Sequence, residues 1–298
     1  MTKALLKNWK WLGYLVYAVL LTTGLLYYRF PSDTIRAYLV SELARADPPM
    51  NLSLKTVRPG FPPGVDLIDV AVAVRETPQK HLLQAKDISI VPAVWTFLSG
   101  STQYCFDIHA YHGNIEGRVR FKRNGVKAPL KTSLQFKGID IGLHPYLPPL
   151  VGREVSGVLE GTVQYAGYQN NLIEGTGQGA IVISDGKVKL LQPILGLDSI
   201  DFDRFSVKMA LKDRKIALTH AQLEGRTIKG DLSGTITLKT DLSRSMLDLK
   251  GTMEPLGGLL GNIKGNAAAL TFLRQGLKKL NRSFVIQGTF RNPVFRFS

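Results

Sequence analysis

The chain has 298 residues, of which 44% are hydrophobic, with 38 Lys and Arg against 23 Asp and Glu. This composition excludes an intrinsically disordered chain, and the single Cys105 excludes an intramolecular disulfide and a thiolate metal cluster. The net charge of +15 is concentrated at the two ends, without the interleaved basic and aromatic residues typical of nucleic-acid binding, so no nucleic-acid partner is expected.

The first predicted element is a transmembrane helix over residues 11–28. The run WLGYLVYAVLLTTGLLYY carries no charge and is long enough to cross a bilayer as a helix. Aromatic side chains mark both ends of the span, as expected at headgroup depth: Trp11, Tyr14, Tyr27 and Tyr28. Three lysines within residues 1–10 place the N-terminus in the cytoplasm. The alternative is a cleaved signal peptide, but no small-residue cleavage site follows Tyr28.

Residues 29–49 predict a juxtamembrane helix and linker. Ser32 stands at an N-cap position, and Ile35 and Leu39 fall at helical spacing behind it. The sequence Asp-Pro-Pro at 47–49 ends the helix. We expect this short helix to dock on the body that follows.

Residues 50–255 predict a β-rich body, on the side of the membrane opposite the N-terminus. Apolar and polar side chains alternate in segments 65–74, 115–121, 131–136, 180–183 and 187–190, which places one face of each strand on a core. Asn124-Gly125 and Asp185-Gly186 are predicted hairpin turns. The fold class is therefore mainly β, a curved antiparallel meander with short capping helices. One such helix is expected within residues 91–100, where it would plug one end of the sheet.

A repeat of the form apolar-x-Gly-Thr-apolar runs through the body. It reads LEGTV at 159–163, LSGTI at 232–236, LKGTM at 249–253 and IQGTF at 286–290, with IEGRV at 115–119 as a looser copy. Along a strand, the apolar residues and the glycine of each copy share one face. The glycines would leave notches that suit a curved sheet with a lined apolar groove. A plain sandwich core, in which glycine only relieves crowding, is the alternative. The predicted groove-lining residues are Ile115, Gly117, Val119, Leu159, Gly161, Val163, Leu232, Gly234, Ile236, Leu249, Gly251, Ile286 and Gly288.

Residues 256–298 predict a basic C-terminal helix and a final strand. Leucines at 270, 273, 277 and 280 form one helical stripe, with Arg274 and Lys278 beside it. The basic flank fits an anionic membrane surface or an acidic partner. A helix that caps the sheet, with solvated charges, is an equal alternative.

The sequence offers no catalytic constellation. No nucleophile, base and orienting residue can be assembled from it, so we expect no enzymatic activity, no cofactor and no metal. His109 and His112 have the spacing H-x-x-H, but on a strand their rings would point to opposite faces, and a metal needs them to converge.

Several separated motifs resemble one family. They are YRFPSD at 28–33, RPGFPPGV at 58–65, PILGLD at 193–198 with FD at 202–203, and GTF at 288–290 before Pro293. Together they resemble the type II secretion system protein N family in its AsmA-like form. The resemblance implies a single-pass protein of the bacterial inner membrane, with a periplasmic β-rich body and no catalytic residues.

Two functions follow from this resemblance. The first is a non-enzymatic component that supports assembly of the type II secretion system, with other secretion components and the lipid bilayer as partners. The second is an AsmA-like module that binds or transfers phospholipid in an apolar β-groove. An open apolar groove would favour lipid, whereas a filled core would favour a scaffold.

Overall fold

The computed structural model describes residues 2–45, 49–74, 81–122, 129–145, 147–148, 153–168, 171–194, 197–226, 228–255 and 282–297. The chain is mainly β, and its strands form one large antiparallel sheet that is curved and unclosed. The predicted mainly β class and curved meander are confirmed. Because all the described strands belong to one sheet, the fold differs from a sandwich of two separate sheets.

Two α-helices precede the sheet. Helix α1 spans Thr2–Tyr28, and α2 spans Ser32–Ala44. The N-cap position of α2 is occupied by Pro31 and not by Ser32. The Pro31 side chain makes no capping hydrogen bond. Among the described residues, no helix combines the length and the mean hydropathy of a membrane span.

Fifteen strands follow in the described parts of the chain. They are β1 Met50–Ser53, β2 Thr56–Gly60, β3 Gly64–Val74, β4 His81–Pro92, β5 Ser101–Ala110, β6 Gly113–Lys122, β7 Pro129–Asp140, β8 Val155–Tyr168, β9 Asn171–Ile194, β10 Leu197–Lys212, β11 Lys215–Glu224, β12 Ile228–Thr237, β13 Met246–Pro255, β14 Arg282–Thr289 and β15 Pro293–Phe297. Short 3-10 helices lie at Val94–Ser99, Ile141–Leu143 and Leu242–Arg244.

The strand order follows the chain. From β3 to β15 each strand pairs with the next, and β1 and β2 both pair with β3. β1 lies beside residues 71–74 of β3, whereas β2 lies beside residues 64–68. The last two strands continue the same sheet, so the predicted boundary at residue 255 does not separate them from the body.

The first buried cluster lies where α2 meets the first strands. It contains Leu54, Val57, Leu67, Val70 and neighbouring apolar residues of β4 and β5. Ile35 and Leu39 of α2 pack against it. A second, smaller cluster lies near the other end of the sheet and is built from β12 and β13 with their neighbours, around Ile236, Leu247 and Leu249.

The structure corrects the turn predicted at Asp185-Gly186. Residues 171–194 form one continuous strand, β9, and Asp185 has a φ of 49° within it. The pairing of β9 with β8 shifts between Ser156 and Val158, opposite this position. The positive φ that an Asp-Gly pair accepts is therefore used in a β-bulge and not in a hairpin. The turn predicted at Asn124-Gly125 lies outside the described residues.

A short helix is present within residues 91–100, as predicted, but it is a 3-10 helix, and its role as a plug stays a prediction. β4 extends to Pro92, and only the short 3-10 helix Val94–Ser99 precedes β5. The Trp95 side chain is 82% exposed. The basic helix predicted after residue 255 lies outside the described residues.

His144 lies beside the first buried cluster, and its titration is expected to make the stability of the fold depend on pH. Its ring lies 5.0 Å from that of Tyr111, centroid to centroid. The Tyr111 hydroxyl accepts a hydrogen bond from the Gln84 backbone N–H at 2.8 Å. Burial lowers the pKa of His144 below its ordinary value, although hydrogen bonds with the backbone of Leu82 and of His144 itself act the other way.

We expect the protein to lose stability as pH falls from 7 to 5, in part through His144. Because the pKa of His144 is lower in the folded chain, the unfolded chain binds more protons in this range. The stability is therefore complete above the ordinary histidine pKa of about 6.5 and declines as pH drops through the folded value. Urea denaturation at each pH should show a smaller decline for His144→Asn. The control is His112→Asn in an exposed turn, and an equal decline in wild type and His144→Asn would contradict the prediction.

Candidate functional site: the apolar face of the sheet

The register of the strands separates the sheet into an apolar face and a polar face. Directly paired residues of an antiparallel sheet share a face, so a row of partners can be followed from strand to strand. The central row of the apolar face crosses the thirteen strands β3–β15 without a polar side chain. Its members are Val65, Ile90, Phe106, Gly117, Leu134, Val163, Gly179, Met209, Leu218, Gly234, Leu249, Ile286 and Phe295.

All the predicted groove-lining residues lie on this apolar face. Gly117, Val163, Gly234, Leu249 and Ile286 are in the central row itself. The others occupy the two flanking rows: Ile115, Gly161, Leu232 and Gly251 on one side, Val119, Ile236 and Gly288 on the other, and Leu159 one row further out. That this face is a ligand-binding groove stays a prediction.

The central row is half-buried along most of its length. Leu249 is buried, at 5% exposure, whereas the other members are half-buried. In the described part of the chain, the buried clusters lie toward the two ends, under α2 and around β12–β13. An apolar surface of this extent that the described residues leave partly exposed typically marks an interaction site.

The glycines of the repeat do not leave empty notches, which corrects the predicted role of Gly117 and Gly251. A Cβ at Gly117 would overlap the ring of Phe106, its partner on β5. A Cβ at Gly251 would likewise meet the ring of Phe284, its partner on β14. Aromatic rings from the adjacent strand therefore cover these glycines, and the apolar face is continuous there.

A second group of glycines permits close backbone approach. Gly234 has a φ of 136°, and a Cβ there would overlap the carbonyl oxygen of Asp248 on the neighbouring strand. A Cβ at Gly161 would overlap the carbonyl oxygen of Ala180. The ladders beside Gly161 and Gly234 also shift in register. These glycines thus accommodate irregular, bent pairing, which contributes to the curvature of the sheet.

Two polar side chains flank the central row near its middle. Thr132 and Tyr165 are direct partners on β7 and β8. The Tyr165 ring occupies the space that side chains at Gly167 and Gly175 would need. Burial raises the pKa of the Tyr165 hydroxyl, with the Gly175 backbone acting the other way. Tyr165 is therefore neutral at physiological pH and adds no charge to the apolar face.

The polar face carries alternating exposed side chains, some of them in cross-strand ion pairs. Lys137 pairs with Glu116, and Lys187 pairs with Asp201 at 3.6 Å. Exposed pairs of this kind contribute little to stability. In the part of the chain that the structure describes, no group of three metal-ligating side chains occurs.

The predicted anchor residues all lie on α1. Their side chains are exposed, from 59% for Tyr27 to 88% for Tyr28, with Trp11 and Tyr14 between these values. Leucines of the same helix, such as Leu15 and Leu20, are also more than half exposed. Helix α1 therefore presents an uncovered apolar surface.

The sequence reasoning missed most of the central row. Leu134, Met209 and Leu218 belong to it although no copy of the glycine-threonine repeat lies on their strands. The available signal was the alternation of apolar and polar residues, which β7 and β10 show as clearly as the repeat strands do.

Comparison with known proteins finds no matching family model, no matching curated protein and no matching solved structure.

Proposed function

We propose that the chain is a membrane-anchored, non-enzymatic protein that binds the acyl chains of phospholipid on the apolar face of its sheet. The observation that carries this proposal is the central row, which is apolar across thirteen strands and half-buried except at Leu249. A filled core would have supported a purely structural role. A face that the described residues leave only half-buried supports lipid binding instead.

The size of the apolar face suits an acyl chain. At about 4.8 Å between strands, the central row extends for about 58 Å. This is roughly twice the 30 Å thickness of the hydrocarbon core of a bilayer. Each methylene group that leaves water on this surface contributes about 0.8 kcal/mol, so even a partly covered acyl chain offers substantial affinity.

The proposal includes an inner-membrane anchor formed by α1, with the N-terminus in the cytoplasm and the sheet in the periplasm. It is supported by the uncharged run 11–28 and by the exposed aromatic residues at both of its ends. A helix of 27 residues has a length of about 40 Å. A sheet that α1 anchors at the membrane would hold its apolar face close to the bilayer, where lipid molecules could pass onto that face.

Photo-crosslinking from the two faces tests the lipid proposal. A photoreactive amino acid is placed at Leu134 or Met209 on the apolar face of the full chain, in cells with radiolabelled phospholipid. We expect labelled lipid adducts at both positions, because an acyl chain on this face lies against them. The adducts are detected on denaturing gels and identified by mass spectrometry.

The neighbouring residues provide matched controls. Gln135 follows Leu134 on β7, and Lys208 precedes Met209 on β10, so both point to the polar face. These positions should give no lipid adduct. Equal labelling of both faces, or crosslinks from Leu134 and Met209 only to protein, would contradict lipid binding on the apolar face.

A role in the type II secretion system is the second candidate, and the β2–β3 turn favours it. The motif at 58–65 forms this turn, and the Phe61 side chain at its tip is 92% exposed. A protruding aromatic residue is a common anchor in protein contacts. We expect a photoreactive residue at Phe61 to capture a secretion component in cells. Lipid adducts alone at Phe61 would contradict this role.

A further inference from the structure

The polar face contains a basic pocket of about 620 Å³ over β5–β9. Three basic side chains, Arg118, Arg120 and Lys131, line it together with the amides of Gln103, Gln164 and Gln178. We refer to these six residues as the basic pocket. No carboxylate lines this cavity, and it lies on the opposite face of the sheet from the central row.

Arg120 and Lys131 are direct cross-strand partners. Like charges in this arrangement destabilise an antiparallel sheet, so the pair opposes folding. Arg118 adds a third positive charge two residues from Arg120 on the same strand face. The arrangement is explained most simply by an anionic ligand that neutralises the three charges.

The carboxylates around the basic pocket do not neutralise Arg120 and Lys131. Glu174, two residues from Thr176 in the pocket lining, is paired with Arg214 at 3.7 Å. Asp107 and Glu116 are cross-strand partners, and Glu116 lies two residues from Arg118 on β6. The Glu116 carboxylate forms an ion pair with Lys137. Arg120 is four residues from Glu116, or about 13 Å along the strand, which exceeds the screening length of about 8 Å at physiological salt. Among the described residues, no carboxylate forms an ion pair with Arg118, Arg120 or Lys131.

Two hydrogen bonds connect side chains within the basic pocket. Arg120 Nε donates to Gln103 Oε1 at 3.1 Å, and Gln178 Nε2 donates to Gln164 Oε1 at 3.2 Å. The first bond orients the guanidinium, and both leave further amide protons for a ligand. Guanidinium groups bind phosphate oxygens in bidentate geometry. We propose that the basic pocket binds a phosphate group, of a phospholipid headgroup or of a soluble phosphorylated molecule.

Calorimetric titration of the full chain in neutral detergent tests this site. Pyrophosphate is the soluble probe, and dihexanoyl phosphatidic acid is the headgroup probe, with dihexanoyl phosphatidylcholine as its reference. We expect Arg120→Gln/Lys131→Gln to weaken binding of pyrophosphate by about tenfold or more, because two charge-assisted contacts are lost. Arg118→Gln alone should give an intermediate loss. Tighter binding of phosphatidic acid than of pyrophosphate, with the same dependence on the pocket, would identify the headgroup as the source.

Lys208→Gln/Lys250→Gln is the matched control, since it removes two exposed charges from the polar face outside the pocket. It should change affinity by less than about twofold. The pocket variant should keep or raise the Tm of the ligand-free protein, because a like-charge pair is removed. Absence of pyrophosphate binding by the wild type, or an equal loss in the control variant, would overturn the proposal.

Discussion

Replacing Gly234 with valine is expected to lower the free energy of unfolding by about 3 kcal/mol or more. The φ of 136° at this position is open to glycine and strained for any other residue. The added side chain would also meet the Asp248 carbonyl oxygen of β13. That oxygen belongs to the paired backbone and can move only if the ladder is disturbed. Urea denaturation of the full chain, followed by far-UV circular dichroism, measures the loss.

Gly179→Ala is the control, and Gly234→Ala is measured beside it so that the same side chain is added at both positions. Gly179 lies in the same central row, but its φ is not positive, and a Cβ would meet side-chain atoms, Val163 Cγ2 at 3.3 Å and Met209 Cγ at 3.4 Å. Because these side chains can shift, we expect a change of less than about 1 kcal/mol. Similar losses at both positions would contradict the assignment of Gly234 to a backbone requirement. Large substitutions at Gly161 and Gly234 are therefore unsuited to tests of ligand binding.

The division of each strand into an apolar face and a polar face could be predicted from the sequence, because it depends only on the local alternation of apolar and polar residues. Leu159, Gly161 and Val163 share a face in any extended conformation. The apolar face is therefore a direct consequence of the repeat.

The bulge at Asp185 could not be predicted in this way. An Asp-Gly pair accepts positive φ both in a hairpin and in a bulge, and its neighbours alternate in either case. The choice between a hairpin and a bulge is determined by the pairing of β9 with β8 and β10, which continues on both sides of Asp185. That pairing is non-local and leaves no mark in the sequence around residue 185.

Register also explains why the covered glycines and the basic pocket were missed. Phe106 lies over Gly117 because the two are partners, although eleven positions separate them in the sequence. Arg120 and Lys131 meet by the same geometry. Such pairs depend on how far each strand is shifted against the next, which composition and periodicity do not determine.

The two faces divide the chemistry of the molecule between them. Alternation places apolar side chains on one face, which is the proposed acyl-chain site, and charged side chains on the other. Since the sheet is unclosed, both faces remain accessible in the described strands. A single layer can therefore offer two separate binding surfaces, and substitutions on one need not disturb the other.

Leu67→Ala is expected to cost about 3 kcal/mol of stability, whereas Leu134→Ala should cost only about 1 kcal/mol. Leu67 is 4% exposed and belongs to the cluster under α2, so its loss creates a cavity. Leu134 is half-buried in the central row, where removal of its side chain exposes little new surface. Both values are measured by urea denaturation of the full chain without added lipid.

The comparison of the two leucines tests whether the apolar face is open. Gln135→Ala, on the same strand as Leu134 but on the polar face, should change stability by less than about 0.5 kcal/mol. If Leu134→Ala costs as much as Leu67→Ala, a packed layer must cover the central row, and the face would be a core and not a binding surface. A small loss at Leu134, with added dihexanoyl phosphatidylcholine stabilising the wild type more than Leu134→Ala, is the result that an open acyl-chain site requires.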